Sequence, residues 1–479
     1  MKKIFFIILI SLLFFSGGVA AIELQTKGKP QNAPSARIED LKPYVPGEIL
    51  VKYRTSANIA VESDLQSLHG LAAKKKLPAI GTTVYKLPQG MDVQTALTLL
   101  KDDPQVAYAE PNYYARPTAN PNDPSFPVQW GLNNTGQAVL GVSGVPDADI
   151  NGPEAWNLTT GHSSIVIAVI DTGVDILHPD IKPNLWVNMG ELAGFASIDT
   201  WQPNGVDDDG NGYVDDIVGW DFFFNVNNPN DEVSGHGTHV AGIAAARGNN
   251  GAGVTGVSWE ASIMALATQD YADGGLPISA VAAALIYAES MGAHVINMSL
   301  GLYQDSRVLR DAINSVTRAV IVCAAGNDGT DNDVRPHYPS SYPNANLIAV
   351  TATNQSDQPA SFSNVGLSSV DVAAPGTRIY STTSRFVDAG GYAFLGGTSQ
   401  ATPMVAGLAV LLRAADGTLA PIQIVSIIKN SVDGLPILTN RIATGGRINA
   451  QRALQSAGSG GGSDDGDDGC FIRAIRAVP

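Results

Sequence analysis

The feature that most constrains this chain is a series of short apolar segments that alternate with helix-like segments between about residues 120 and 456. Two of the apolar segments are "IVIAVI", which begins at Ile165, and "VIVCAAG", which begins at Val320. A strand that is apolar throughout is buried on both faces, and helices between such strands cover both faces of a parallel sheet. The pattern therefore predicts an α/β domain with a parallel β-sheet flanked by helices on both faces.

A different pattern precedes this domain, from Pro46 to about Tyr114. Three segments have strand-like patterns and two have helical spacing: "GEILVKY", "TTVYKL" and "VAYAEPNYY", and residues 60–71 and 93–101. Strands and helices mixed in so short a segment predict a small two-layer α+β unit. We expect the lysine triplet Lys74–Lys76 within it to form a solvated turn.

The two ends of the chain have compositions of their own. The first 21 residues, "MKKIFFIILISLLFFSGGVAA", combine a basic start, an apolar core and small final residues, which is typical of a secretory signal peptide. We expect cleavage after Ala21, a linker over residues 22–45, and a Gly/Asp-rich linker with a short tail over residues 457–479. No later segment reaches the about 18 apolar residues that a membrane span needs. The sequence therefore predicts a secreted protein without a membrane span.

Charge and cysteine content exclude several classes of partner and fold. The chain has 29 basic and 45 acidic residues, a net charge of −16. Such an acidic protein is not attracted to nucleic acid or to anionic membranes, so we expect neither as a partner. Its two cysteines, Cys323 and Cys470, are too few for a disulfide-built fold. The apolar neighbours of Cys323 predict a buried free thiol.

Four polar residues with small neighbours follow apolar segments or begin helices: Asp171, His236, Asn327 and Ser399. Each has a structural alternative when it is taken singly. Asp171 and Asn327 are common turn residues, a single histidine is more often structural than catalytic, and a serine at a helix start is most often an N-cap. Together they supply the nucleophile, base, acid and amide donor of nucleophilic acyl transfer.

The four residues would divide that chemistry as follows. Ser399 attacks the carbonyl carbon, and His236 takes the hydroxyl proton and returns it to the leaving amine. Asp171 holds the imidazole tautomer and stabilises the imidazolium. Asn327 and the backbone N–H of Ser399 donate hydrogen bonds to the developing oxyanion.

The motifs around these residues, "VIDTGVD", "SGHGTHVAGIAAA", "VCAAGNDG" and "LGGTSQATPMVAG", resemble those of the subtilisin-like serine proteases. The resemblance covers about Pro121 to Ala453, and the acid, the histidine and the serine follow in that family's order. It implies a subtilisin-like fold and a serine endopeptidase of broad specificity that acts on proteins and peptides. One departure is Gln400, because the family usually has methionine directly after the nucleophile. The shape of the cleft next to the nucleophile therefore does not follow from the resemblance.

The resemblance also implies which residues contact substrate. The segment "NMSLG" would pair with extended substrate main chain, which gives little sequence selectivity, and "AAG" would form the opposite wall of the primary specificity pocket. These substrate-binding residues are Ser299, Leu300, Gly301, Ala324, Ala325 and Gly326. His337 would lie near the base of this pocket, with an exposed loop histidine as the alternative.

The N-terminal α+β unit resembles the propeptide inhibitor domain of the same family. We assign it to residues 46–118 and the catalytic domain to residues 119–456. The resemblance implies a propeptide that assists folding, places its last strand in the cleft and is removed by a cut between about Ala115 and Asn120. We therefore expect a monomeric zymogen whose own propeptide is its intramolecular inhibitor.

The acidic segment "GVDDDGNGYVDDIVGWDF" predicts a site for calcium as a structural cofactor. Its oxygen-bearing residues match the first half of a calcium-binding loop: Asp207, Asp209, Asn211, Tyr213 through its carbonyl, Asp215 and Asp216. Val218 replaces the bidentate acid at the last position, and a solvated acidic turn is the alternative. The family resemblance implies a second calcium site at Asp180 and Asn250. No sequence pattern indicates catalytic zinc.

Two other functions compete with a secreted protease. A non-catalytic, calcium-dependent binding protein that keeps a protease fold would be favoured by a broken triad, which this sequence lacks. An α/β-hydrolase esterase would be favoured by a G-x-S-x-G motif, whereas "GTSQA" lacks the second glycine and the order of the triad differs.

Overall fold

The computed structural model describes residues 44–54, 70–101, 103–113, 119–192, 194–195 and 197–458. The predicted signal peptide, nearly all of the predicted linker, nearly all of the predicted helix 60–71 and the predicted C-terminal tail lie outside these residues. Among the described residues, no helix is both long enough and apolar enough to cross a membrane.

The N-terminal unit is a four-stranded antiparallel sheet with one described helix. Its elements are β1 (Tyr44–Tyr53), β2 (Ala72–Leu77), β3 (Thr82–Lys86), α1 (Val93–Leu100) and β4 (Val106–Tyr113), and a 3-10 turn covers Pro78–Ile80. The strand order is β2-β3-β1-β4, and the helix packs on β1 and β4. Asp92 caps α1, because its side chain accepts the N–H of Thr95. A small core that includes Ile49, Tyr85 and Leu100 confirms the predicted two-layer unit.

The prediction for the lysine triplet was wrong in one respect. Lys74–Lys76 lie in the edge strand β2 and not in a turn, although they are exposed as expected. An edge strand has one unpaired row of backbone groups, and lysines there keep the edge solvated and oppose pairing with another chain.

The larger unit is built on a nine-stranded sheet that is almost entirely parallel. Its strands are β7 (Gly161–Asp171), β8 (Gly219–Asp221), β9 (Glu260–Ala267), β10 (Val295–Met298), β11 (Val320–Ala324), β12 (Leu347–Thr353), β13 (Val372–Pro375), β16 (Asp433–Gly434) and β17 (Gly446–Arg447). Their order is β16-β17-β13-β12-β11-β10-β7-β9-β8, and β16 with β17 is the one antiparallel pair of this sheet. Two short hairpins lie outside it: β5 (Ala138–Val139) with β6 (Val142–Ser143), and β14 (Ile379–Thr382) with β15 (Tyr392–Leu395).

Helices cover both faces of this sheet, as the apolar pattern predicted. The described helices of this unit are α2 (Gly152–Trp156), α3 (His236–Ala245), α4 (Ile278–Ser290), α5 (Arg307–Ser315), α6 (Thr398–Ala415), α7 (Pro421–Asn430) and α8 (Ala450–Gly458), with 3-10 turns at Phe126–Val128 and Lys182–Asn184. Along β7, Ile167 and Val169 pack in the core with α3 and α6, whereas Ala168 and Ile170 pack in the core with α4 and α5. Cys323 is buried with a free thiol, as predicted.

Candidate active site

The first part of the site joins the carboxyl end of β7 to the start of α3. Nδ1 of His236 lies 2.7 Å from Oδ1 of Asp171, the last residue of β7, and the same oxygen accepts the backbone N–H of Thr172 at 2.8 Å. An ionised carboxylate can only accept, so Nδ1 carries the shared proton. The other nitrogen, Nε2, is then left with a lone pair that can accept a proton.

The electrostatics of this pair favour a basic imidazole. Burial, the largest influence, lowers the pKa of His236, but the charge of Asp171 and its hydrogen bond outweigh burial, and the pKa is raised above its usual value of 6.5. Asp171 is completely buried, whereas the side chain of His236 keeps 29% of its surface exposed. The histidine is therefore basic and accessible, and its acid is shielded from water.

A glycine lets α3 approach the end of β7. A Cβ on Gly237 would lie 2.1 Å from the carbonyl oxygen of Gly173 and 3.0 Å from Cβ of Asp171. A side chain at position 237 would therefore push the helix start away from the acid. Packing therefore requires glycine at position 237, directly after His236.

Asp231 organises the same helix start, and the sequence reasoning missed it. One of its oxygens accepts the Thr172 hydroxyl and the N–H of Gly235, and the other accepts the N–H and the hydroxyl of Thr238. The Thr172 hydroxyl in turn accepts the N–H of Gly237. Burial, the largest influence, raises the pKa of Asp231. The only sequence signal was an acid five residues before the histidine in a polar segment.

Ser399 lies in the first turn of α6, a helix that packs against α3. Its hydroxyl donates to the carbonyl oxygen of Ser299 at 3.2 Å, and the hydroxyl of Ser299 donates to the carbonyl oxygen of Ser399 at 2.8 Å. The N-cap of α6 is Gly397, without a side-chain capping bond, so the N-cap alternative for Ser399 was wrong. Within the described residues, Nε2 of His236 has no hydrogen bond, and a rotation of the Ser399 side chain is needed to direct its hydroxyl away from Ser299.

Asn327 follows β11 and is held against the start of α6. Its Oδ1 accepts the backbone N–H of Thr398 at 2.8 Å and the Thr398 hydroxyl at 3.0 Å. Because a backbone N–H can only donate, the contact fixes Oδ1 on this side of the amide and leaves the NH₂ group for the cleft. Thr398 is fully buried and was not singled out from the sequence.

The predicted substrate-contact segments follow two adjacent strands. Met298 pairs with Cys323 near the ends of β10 and β11, so Ser299–Gly301 and the segment that begins at Ala324, the last residue of β11, lie side by side, next to Ser399. Ala325 is an exception, because its side chain is fully buried in a separate small core and does not face the cleft. His337 is 6% exposed and contacts both segments, so the exposed-loop alternative for it was wrong.

The structure brings two acids of the predicted calcium loop together with a third acid from outside the loop. Carboxylate oxygens of Glu191, Asp209 and Asp216 lie within 4.8 Å of one another. Asp207 instead accepts the N–H groups of residues 210–212, and Asp215 accepts the N–H groups of residues 204 and 205. Glu191, which lies outside the predicted loop, thus joins Asp209 and Asp216, while Asp207 and Asp215 accept N–H groups of their own turns. That the predicted loop residues bind calcium stays a prediction.

The amide side chains near this cluster complete its oxygen-rich surroundings. Asn211 donates to Asp209 and Asp216, and the ring of Tyr213 packs against Trp220 and Tyr287. The hydroxyl of Tyr287 donates to Asp216. Ring packing therefore sets the position of Tyr213. The binding of calcium by its carbonyl oxygen stays a prediction.

The chemistry of this cluster fits a hard cation. Glu191 is 1% exposed, and its Oε2 has no hydrogen-bond partner among the described residues. Burial, the largest influence, raises the pKa of Glu191 and of Asp216, with further increases from neighbouring acids. Three crowded carboxylates with one orphaned oxygen are a donor set that calcium satisfies.

The second predicted calcium site also gains an acid that the sequence reasoning missed. Asp180 is buried and accepts the side-chain amide of Asn250, the N–H of Val254 and the Tyr392 hydroxyl. Asp123 accepts the N–H of Asn249 at 2.7 Å, and burial, its largest influence, raises its pKa. The predicted pair, Asp180 and Asn250, is therefore brought together with Asp123.

Comparisons with family models and with curated proteins found several matches. A family model described as the subtilase family matches residues 162–460, and one described as the fervidolysin N-terminal prodomain matches residues 30–112. The chain is 36% identical over 374 residues to the thermophilic serine proteinase of Bacillus sp. strain AK1, a match that covers 78% of this chain and 79% of that protein. It is 33% identical over 443 residues to an extracellular protease of Xanthomonas campestris pv. campestris, with 87% and 70% covered.

Among solved structures, the chain is similar to fervidolysin from Fervidobacterium pennivorans, described as a keratinolytic enzyme related to subtilisin. The TM-score is 0.52 at 25% sequence identity, and the match covers 86% of this chain and 61% of that chain. The match extends beyond the part of this chain that the subtilase model covers.

Proposed function

The chain belongs to the subtilase family of serine peptidases, and we propose that it is a secreted endopeptidase of broad specificity, made as an autoprocessed zymogen and stabilised by calcium. The observation that supports this most is the Asp171–His236 pair, with a raised histidine pKa, at the start of α3, the helix that packs against the Ser399 helix α6. The pair provides a shielded acid and an accessible base, and Ser399 supplies a hydroxyl at the start of the neighbouring helix.

We assign the chemical steps to the following groups. The Ser399 hydroxyl attacks the scissile carbonyl carbon while Nε2 of His236 takes its proton, and the proton passes to the leaving amine as the C–N bond breaks. Water then repeats the sequence on the acyl-enzyme, and the proton returns to Ser399. Asp171 keeps the Nδ1–H tautomer and stabilises the imidazolium.

Charge that develops on the substrate oxygen needs preorganised donors. The NH₂ group of Asn327 and the backbone N–H of Ser399 fit this role, because Thr398 holds the Asn327 oxygen on the opposite side. Thr398 acts through Asn327 and is therefore a positioning residue.

Substrate would lie as an extended strand between the two cleft segments. Ser299, Leu300 and Gly301 on one side, and Ala324 and Gly326 on the other, offer mainly backbone groups beside the nucleophile. Pairing with main chain selects weakly among sequences, which supports broad specificity outside the primary pocket.

We assign residues 46–118 to the propeptide and residues 119–456 to the catalytic domain. The match of residues 30–112 to a prodomain family supports an intramolecular inhibitor. The cut is placed between residues 115 and 120, of which 115–118 lie outside the described residues. The N–H of Ala119, inside this range, donates to Asn157 at 2.9 Å, which anchors the chain near the proposed cut on the catalytic unit.

Calcium is assigned to two places. Glu191, Asp209 and Asp216 would hold one ion, and Asp123, Asp180 and Asn250 a second. A bound ion would neutralise buried carboxylates and tie distant segments together, which stabilises the folded state.

Secretion is supported by the N-terminal signal pattern and by the relative that is named an extracellular protease.

The proposed function is tested by comparing wild type with Ser399→Ala. Wild type should digest casein and be labelled covalently by a fluorophosphonate probe, and the variant should do neither while keeping its fold by circular dichroism. Calcium-dependent protein binding without casein digestion by wild type would favour the non-catalytic binding protein. Hydrolysis of esters without hydrolysis of casein would favour an esterase.

A further inference from the structure

By the family resemblance, the substrate side chain before the scissile bond enters the gap beside the nucleophile, between the two cleft segments. A substrate carbonyl that reaches both Ser399 and Asn327 lies at the carboxyl ends of β10 and β11. The gap there is bounded by Ser299–Gly301 on one side and Ala324–Gly326 on the other. What fills this gap therefore decides which side chain fits.

The imidazole of His337 lies across this gap. A Cβ on Gly301 would lie 2.0 Å from Cε1 and 2.5 Å from Nε2 of His337, so the ring already touches the backbone of that wall. A Cβ on Gly326 would lie 3.1 Å from Cδ2 of the same ring. The imidazole therefore lies between Gly301 and Gly326 and contacts both walls.

Several contacts keep the ring in this position. Leu302 and Tyr338 exchange two backbone hydrogen bonds, which fixes His337 beside Gly301. Nδ1 of His337 lies 3.1 Å from the hydroxyl of Ser340, and the ring meets the edge of Tyr303 at 5.2 Å between centroids. With 6% of the residue exposed, a swing of the ring out of the gap would break its contacts with Ser340 and Tyr303.

The imidazole is also uncharged at neutral pH. Burial, the largest influence, lowers the pKa of His337 to about 4, against the charge of Asp328 and a hydrogen bond to the Ala324 carbonyl, which both raise it. The ring therefore offers no positive charge to an acidic side chain, and its effect on the substrate is steric.

We propose that His337 closes the primary specificity pocket at its base and restricts the residue before the scissile bond to short side chains of the glycine, alanine and serine class. This inference rests on the proposed peptidase function and narrows it at one substrate position. Pairing along the main chain stays unselective, so many proteins remain substrates. An aromatic or long basic side chain would meet the imidazole before its carbonyl reached Ser399.

The test is a set of peptides that differ only in the residue before the scissile bond: Gly, Ala, Ser, Leu, Phe and Lys. In wild type, kcat/KM for Ala should exceed that for Phe by about tenfold or more, since a filled pocket rejects added bulk. His337→Gly should open the pocket and raise the Phe-to-Ala ratio of kcat/KM by about tenfold or more. His162→Gly, at an exposed histidine on β7, is the matched control and should leave the ratio unchanged.

Each outcome decides between the claims. Wild type that cleaves after Phe at least as fast as after Ala overturns the inference, and so does an unchanged ratio in folded His337→Gly, while the peptidase function stands in both cases. If His337→Gly does not fold, the wild-type profile alone decides. If wild type hydrolyses none of the peptides and no casein, the proposed function fails and takes this inference with it.

Discussion

A single oxygen of Asn327 accepts two hydrogen bonds from Thr398, one from the backbone N–H at 2.8 Å and one from the hydroxyl at 3.0 Å. Thr398 directly precedes Ser399, so the same helix start places both the nucleophile and the amide that faces it. The Thr398 hydroxyl also accepts the N–H of Gly326 at 3.2 Å, which ties the pocket wall to this point.

Replacing Asn327 with Leu removes one oxyanion donor and leaves the nucleophile in place. We expect kcat to fall by about 10²–10³-fold with little change in KM, because the lost hydrogen bond forms only as charge develops on the substrate oxygen. Steady-state kinetics on one peptide substrate measure the effect. Asn314→Leu, at an exposed position in α5, is the control. A variant within a few fold of wild type would assign Asn327 a purely structural role.

The pH dependence should report the Asp171–His236 pair. The active form has neutral His236, and its pKa is raised above 6.5, so kcat/KM should rise with pH along a limb centred above 6.5. Asp171→Asn removes the charge that opposes burial, so the limb should move to lower pH, and kcat should fall by about 10⁴-fold because the tautomer is no longer held. Profiles from about pH 5 to 9 test both effects. A limb that stays in place in Asp171→Asn would contradict the assignment.

Calcium removal should separate ligands from turn-forming acids. With free calcium at 100 times Kd, bound ion stabilises the folded state by about 2.7 kcal/mol per site, so a chelator should lower Tm. Glu191→Gln should reduce the calcium-dependent part of Tm. Asp215→Asn, matched in charge, should lower Tm through its lost turn contacts but keep the full calcium dependence. Calorimetry with and without chelator measures this, and a Tm indifferent to chelator would refute both calcium sites.

Much of this architecture could be predicted because its signals are local. The apolar segment that ends at Asp171 and the small-residue motif that begins at His236 each define one strand end or helix start. A parallel sheet brings such ends to one edge whatever the intervening loops do. These local signals therefore sufficed to anticipate that Asp171 and His236 would meet.

The missed residues act through contacts that no local pattern reveals. Glu191 reaches the acidic cluster from outside the loop, Asp123 reaches Asp180 across the chain, and Asp231 acts through backbone N–H groups rather than through a motif. The lysine triplet was wrongly assigned to a turn because three consecutive charges lack the alternating pattern of a strand. Its strand conformation comes from pairing with β3, which tertiary structure sets. In each case, the position of the residue is set by contacts with segments that are distant in the sequence.

The central claim is that Ser399 and His236 act as one nucleophilic unit, which first cleaves its own chain and then cleaves other proteins. The most direct test measures the mass and the N-terminus of protein expressed without other proteases. The two variants to compare with wild type are Ser399→Ala and His236→Ala. Wild type should mature to an N-terminus between residues 115 and 120, at a rate independent of dilution, because the cut is intramolecular. Both variants should accumulate as precursors that still contain the propeptide. Maturation of Ser399→Ala to the wild-type N-terminus in that setting would contradict the account.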